Sequence, residues 1–256
     1  MIHPSAEIDP GARLSDGVSV GPWSVIGPGV DIGEDTWIGP HVVIQGPARI
    51  GRKNRIYQFN SIGDVPQDKK FSGERSRLEI GDGNVIREFC TLNRGTQGGG
   101  GVTRIGNDNW IMAYVHVAHD CQIGNATTMA NGTTLAGHVT VGNFATFGAF
   151  TVIHQFCAVG DYSFSAMGTV VFKDVPPFVT VSGNSAKPHG LNTEGLKRRG
   201  FDTDALRALR RAYKIIYKQG LTVDQALEAL EESARRHPEV AALRDFVAGS
   251  TRGVVR

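Results

Sequence analysis

The chain has 256 residues, a formal net charge of +2, 40% hydrophobic residues, 33 glycines and few aromatics. That near-neutral balance excludes a global electrostatic pull toward nucleic acid, and no run approaches the ~18 apolar residues a membrane span needs. Three cysteines, Cys90, Cys121 and Cys157, are an odd count without metal-type spacing, which favours reduced thiols in a cytoplasmic protein.

The first residues, Met1 to Glu7, carry neither a basic flank nor an apolar segment, so no signal peptide is expected. A repeat then begins at once. Aliphatic residues recur every six positions at Ile8, Leu14, Val20, Ile26, Ile32, Ile38, Ile44, Ile50, Ile56 and Ile62. The position two before each is small or β-branched, as at Ala6, Ala12, Val18 and Val42, and Gly often follows, as at Gly21, Gly27 and Gly33. The phase breaks after Gly63, returns at Ile80, Ile86 and Leu92, and breaks again before Ile105. A second run continues through Ile111, Val117, Ile123, Met129, Leu135, Val141, Phe147, Ile153 and Val159, fading by Val171.

A period of six excludes an α-helix at about 3.6 residues per turn and is too regular for hairpins. It predicts a parallel β-helix, in which each hexad forms one flat face, its aliphatic points inward and Gly helps the chain turn the corner. Three faces close a coil of about 18 residues, and coils stack at roughly 4.8 Å, which gives about eight of them. This mainly β domain is expected over residues 1–186. The phase breaks predict two external loops, at about 64–79 and 93–104. The first carries Gln67, Asp68 and Lys70 and is a candidate substrate arm. The second holds Gly98-Gly99-Gly100-Gly101; it lacks the Lys-Ser/Thr ending of a phosphate loop and reads as a flexible external segment.

After Val175-Pro176-Pro177 the rhythm is gone, and a C-terminal helical domain is expected over 187–256. Leu206, Leu209, Ala212, Tyr213 and Ile216 form one stripe closed by Gly220. Thr222 is placed to cap a second helix, and Pro238 suits the first turn of a third.

Folding the second run onto an eighteen-residue coil places residues in columns. His119 lies beneath Gly137 and then Gln155, Asp120 beneath His138, and His154 above Ala118 and Ala136. His116 sits on the same face, a few residues back. None of these is the inward aliphatic of its hexad, whereas Cys121 and Cys157 take the inward small position and read as fillers. Two chemistries suit the patch. In one, His119 is a general base oriented by Asp120, with the Gly137 N–H at an oxyanion. In the other, three histidines bind zinc, as in β-helical carbonic anhydrases. A non-catalytic scaffold is the third possibility.

The motifs Ile56-Tyr57-Gln58-Phe59, Ala118-His119-Asp120-Cys121, Leu135-Ala136-Gly137-His138, His154-Gln155-Phe156-Cys157 and Gly190-Leu191-Asn192-Thr193-Glu194 onward, with the terminal Ser250-Thr251-Arg252-Gly253, are more specific than the repeat. Through them the chain resembles, essentially end to end, the UDP-N-acetylglucosamine O-acyltransferase family. The resemblance implies a left-handed β-helix and transfer of a 3-hydroxyacyl group from acyl carrier protein to UDP-N-acetylglucosamine, the first step of lipid A synthesis. It implies a homotrimer with sites in the clefts between copies, no metal and no cofactor. It makes His119 the base and brings Asp68, Lys70 and Gln67 from the first loop to the sugar. His138 and His116 would stand near the base. His154, Gln155, Asn192, Glu194, Arg198 and Arg199 would hold the nucleotide and its phosphates, for which the planar Arg fork is suited. Without the resemblance, Lys197-Arg198-Arg199 reads as a solvated basic face. The basic residues here, with Arg207, Arg210 and Arg211, are also placed to steer an acidic carrier protein. Met167 stands where long-chain members have Gly, which implies a shorter acyl donor. The sister family that N-acylates glucosamine has an additional N-terminal domain, whereas here the hexads begin by Ala6.

Overall fold

A computed structural model describes residues 1–256 and consists of a triangular solenoid closed at one end by helices. The solenoid is a left-handed parallel β-helix. Its first face stacks nine short strands from Glu7–Ile8 to Val170–Val171, and its second stacks eight from Arg13–Leu14 to Ala158–Val159. The third face stacks ten, from Ser19–Val20 to Val179–Ser182 with Lys187–Leu191 added antiparallel at the end. That last strand lies on the far side of residue 186.

Pairing offsets measure the coil directly. Glu7 pairs with Val25 and His116 with Thr134, an offset of 18. Across the first loop Ser61 pairs with Thr91, an offset of 30, so twelve extra residues leave the coil. Across the second Thr91 pairs with His116, an offset of 25, so seven leave. Both loops are tighter than 64–79 and 93–104, because strands resume at Arg77 and Val102.

The hexad aliphatics form the core: Ile38, Ile56, Ile86, Ile111, Leu135 and Ile153 are all fully buried. Each contributes about 1.5–3 kcal/mol by leaving water. The glycine after each aliphatic, however, does not supply the corner. A Cβ on Gly21 would lie 2.7 Å from the Gly39 carbonyl carbon of the next coil, and one on Gly33 as close to Gly51. These glycines permit close stacking of backbones. The left-handed corner residue comes two places later and is usually not glycine, as at Trp23, His41, Phe59, Phe89 and Tyr114 with φ between 54° and 64°. Their rings stack on one another at 5.0–5.3 Å, so side-chain contact offsets some of the conformational cost.

Four helices follow: α1 (Thr193–Arg198), α2 (Thr203–Lys218), α3 (Val223–Arg236) and α4 (Pro238–Gly249). Asp202 caps α2, Thr222 forms a capping box with Gln225 at the start of α3, and Pro238 opens α4. The short α1 was not expected. Leu196, Leu206, Leu209, Ile216, Leu230 and Leu243 make a second core that also takes in Phe178 of the last coil. The tail then returns to the solenoid. The Ser250 hydroxyl donates to Asp174 at 2.6 Å, and Val255 is buried in the solenoid core. No helix is long and apolar enough to cross a membrane.

Candidate active site

Both loops leave the solenoid at the corner that joins the first face to the second. The turns His119-Asp120, Gly137-His138 and Gln155-Phe156 lie at that same corner, one coil above another. One edge of the prism therefore collects the polar residues that the column counting brought together.

His119 and Asp120 are consecutive, and on a strand they would point apart. Here Asp120 is the corner residue, with φ at 61°, and the turn folds its carboxylate back onto the imidazole. His119 Nδ1 lies 2.8 Å from Asp120 Oδ2. A carboxylate only accepts, so Nδ1 is assigned the hydrogen and Nε2 presents its lone pair. The Asp120 side chain is wholly buried, while His119 keeps 15% of its side chain exposed.

The coil above closes onto this ring. A Cβ on Gly137 would sit 2.6 Å from His119 Cε1 and 2.8 Å from Nε2, so only glycine leaves room. The Gly137 N–H has no protein acceptor. In other coils this corner position is proline, as at Pro10 and Pro28, which shows that its N–H is outside the ladder. At Gly137 the position offers a free donor beside Nε2.

His138 meets His119 edge to face at 5.0 Å and stacks on Phe156 at 4.4 Å. Its Nε2 is 3.9 Å from Asp120 Oδ2. Burial lowers the proton affinity of His138, with the charges of Asp120 and Asp68 opposing. In the first loop Asp68 Oδ1 accepts from Lys70 N at 3.0 Å. Gln67 and Lys70 are exposed there. His116 stands on the first face and shares a 2.7 Å hydrogen bond with the Thr91 hydroxyl; burial first, and the neighbouring His119 second, lower its proton affinity. His154 is two coils up, with Nδ1 3.2 Å from its neighbour's carbonyl at Gln155 and 3.4 Å from an Arg252 nitrogen of the tail.

The remaining candidates lie elsewhere on the chain. Asn192 caps α1 by accepting from Gly195 N at 3.2 Å and donates to Tyr162 O at 3.0 Å, so its amide is engaged at both ends. Glu194 pairs with Lys197 at 3.0 Å. Arg198 lines a cleft of about 420 Å³ with Asn192, Glu194 and Phe164, and the Arg199 guanidinium lies over the Phe144 ring at 4.6 Å. These residues, in and around α1, lie against the third face and the corner that precedes it. Met167 lies on the remaining corner, 74% exposed. A single copy thus does not bring these residues to His119.

Column counting missed Thr96 and Thr103. Thr96 donates to Asp120 through its N–H at 2.9 Å and its hydroxyl at 2.6 Å, and the Asp120 N–H donates to the Thr103 hydroxyl at 2.8 Å. The 94–101 segment is consequently no loose external loop: Thr96 is buried, and Gln97–Gly99 forms a 3-10 turn against the carboxylate. The three cysteines are free and buried, and burial raises the Cys90 and Cys121 thiols to about 12. His119, Asp120 and His138 also place three potential ligand atoms within 4.8 Å of one another. Asp120 already accepts three protein donors, which leaves its carboxylate little capacity for an ion.

This corner on this solenoid defines a hexapeptide-repeat transferase, and residues 103–137 match the family described as bacterial transferase hexapeptide (six repeats). Residues 174–255 match a second family, described as UDP-N-acetylglucosamine O-acyltransferase, domain 2. The chain is 56% identical over 255 residues to an acyl-(acyl-carrier-protein)–UDP-N-acetylglucosamine O-acyltransferase of Thiobacillus denitrificans, covering 100% of this chain and 99% of that protein. It superposes with a TM-score of 0.98 on the UDP-N-acetylglucosamine O-acyltransferase of Moraxella catarrhalis, at 44% identity, covering 100% and 99% of the two chains. The UDP-N-acetylglucosamine acyltransferase of Francisella novicida gives a TM-score of 0.98 at 42% identity, covering 100% and 94%. The chain belongs to the acyl-(acyl-carrier-protein)–UDP-N-acetylglucosamine O-acyltransferase family.

Proposed function

We propose that this protein transfers an (R)-3-hydroxyacyl group from acyl carrier protein to the 3-hydroxyl of UDP-N-acetylglucosamine, opening lipid A biosynthesis. The observation that carries the reading is the His119–Asp120 pair beneath Gly137, in a chain 56% identical to such an enzyme along its whole length. His119 Nε2 takes the proton from the sugar hydroxyl as its oxygen attacks the thioester carbonyl. The Gly137 N–H steadies the oxyanion that forms. Collapse breaks the carbon–sulfur bond, and the leaving thiolate takes the proton back from His119, so an oxygen ester replaces the thioester. Asp120 holds the imidazole in the required tautomer and needs no net proton of its own.

Asp68, Lys70 and Gln67 reach the sugar from the first loop, with His138 and His116 flanking the base. His154, Gln155, Asn192, Glu194, Arg198 and Arg199 hold the nucleotide. Because these groups lie on different corners of one prism, a complete site needs a second copy, and a homotrimer supplies three such clefts. No metal or cofactor takes part, and the enzyme works in the cytoplasm, where its two substrates are. The solenoid occupies 1–186 and the helical region 187–256. Met167 limits the acyl groove and favours a medium-length donor.

Mass spectrometry of UDP-N-acetylglucosamine incubated with 3-hydroxyacyl carrier proteins of several lengths tests the reaction. An O-acylated product is expected, retained after exhaustive chelation; its absence with every donor overturns the reading. Met167→Gly is expected to raise kcat/KM for the longer donor, and no gain would remove the ruler. Sedimentation should give three times 27.5 kDa.

A further inference from the structure

The second loop has no part in the chemistry above, yet it makes the densest polar contact with the pair that does. The Asp120 carboxylate accepts on both oxygens from one residue: Oδ1 takes the Thr96 N–H at 2.9 Å and Oδ2 the Thr96 hydroxyl at 2.6 Å. Oδ2 is also the oxygen that faces His119 Nδ1 at 2.8 Å. Thr96 thus holds both oxygens of the carboxylate, and its hydroxyl shares Oδ2 with the imidazole.

Two glycines let the turn come so close. A Cβ on Gly99 would overlap the Asp120 carboxyl carbon, and one on Gly95 would lie 2.7 Å from Oδ1. The turn is itself anchored on both flanks. Asn93 Nδ2 donates to Val65 O at 2.7 Å, an Arg94 guanidinium nitrogen donates to Gly46 O at 2.6 Å, and Gly101 N donates to Thr96 O at 2.8 Å. Glu74 of the first loop accepts from Gln97 N at 3.4 Å and from Ser72 N at 2.9 Å, which ties the two loops together. A flexible linker would show none of this.

We infer that Thr96 is a positioning residue for the acyl transfer: it fixes the Asp120 carboxylate so that His119 keeps Nδ1–H inward and Nε2 toward the substrate. This rests on His119 being the base. Without the hydroxyl, the buried carboxylate loses one of its three donors and gains rotational freedom, and the imidazole loses the fixed acceptor that selects its tautomer. Substrate contacts are untouched, so the loss falls on kcat.

Thr96→Val removes the hydroxyl and keeps both the shape and the backbone donor. With wild-type enzyme first shown to form O-acylated product, Thr96→Val is expected to lower kcat by about tenfold or more while leaving KM for the nucleotide sugar within about twofold. Thr96→Ser is expected to restore kcat. Nitrogen-15 NMR of the His119 ring should show one tautomer in wild type and Thr96→Ser, and a mixture in Thr96→Val. Gly99→Ala is expected to behave like Thr96→Val, since its methyl would push the turn off the carboxylate. An inactive wild type would count against the reaction itself. An active wild type with unchanged kcat and a single His119 tautomer in Thr96→Val overturns the positioning role. If Thr96→Val does not fold, failure of Thr96→Ser to keep the wild-type tautomer overturns it.

Discussion

Asp120 can orient the residue directly before it only because it stands at the left-handed corner of its coil, φ 61°, where neighbouring side chains converge. A carboxylate one place earlier or later would face another column. His119→Ala is expected to lower kcat at least about 100-fold, the usual scale for a lost general base, while circular dichroism stays native. Gly137→Ala tests the closeness of the coil above, since its methyl would meet the imidazole at 2.6 Å; kcat should fall sharply while circular dichroism stays native. The two flanking histidines make stability depend on pH. Burial depresses the folded-state proton affinity of both His116 and His138 below the ordinary value of 6.5. Below that value the unfolded chain binds more protons than the folded one, so their contribution is present above about pH 6.5 and lost as pH falls through the depressed folded values. Urea midpoints should therefore drop on acidification, and His116→Gln should flatten that slope.

At the level of elements, the helices were legible where chemistry marks their ends. Asp202, Thr222 and Pro238 stand at starts, and Thr222→Ala is expected to cost about 1 kcal/mol in urea unfolding without changing kcat. The six-residue α1 escaped notice because it is too short to show a stripe and contains Gly195; its cap, Asn192, reads in sequence as part of a polar signature. The strands were legible because a period of six has one physical solution. The stacking of His119 under Gly137 was legible for the same reason, as both lie in an unbroken run with an offset of 18. The Thr96–Asp120 clamp was not, because the two are 24 residues apart across a loop where the offset becomes 25 and column counting fails. Glycine-rich sequence there suggested freedom, whereas the contacts show that glycine serves close approach.

Across the whole molecule, each coil touches only the coils beside it, and the ends need covers. The helical region and the returning tail cover one end, with Val254 and Val255 buried and an Arg256 nitrogen donating to Ile216 O at 2.7 Å. Deleting residues 250–256 should therefore lower the urea midpoint well beyond the effect of removing an exposed tail. In the interior, Ile111 is fully buried between stacked neighbours, so Ile111→Ala is expected to cost about 2–5 kcal/mol by the same measurement.

The constant offset of 18 also acts as a reading frame in space. Losing or gaining a whole coil between Ile105 and Val171 would return every later side chain to its face, whereas losing one hexad between His119 and Gly137 would turn everything after it by a third of a revolution and carry Gly137 away from His119. Height along this solenoid can therefore change only in steps of roughly 4.8 Å, the spacing of stacked strands. A step of that size spans several methylene groups at once. If Met167 limits the acyl groove as proposed, exchanging that one corner side chain is a finer adjustment than adding or removing a coil.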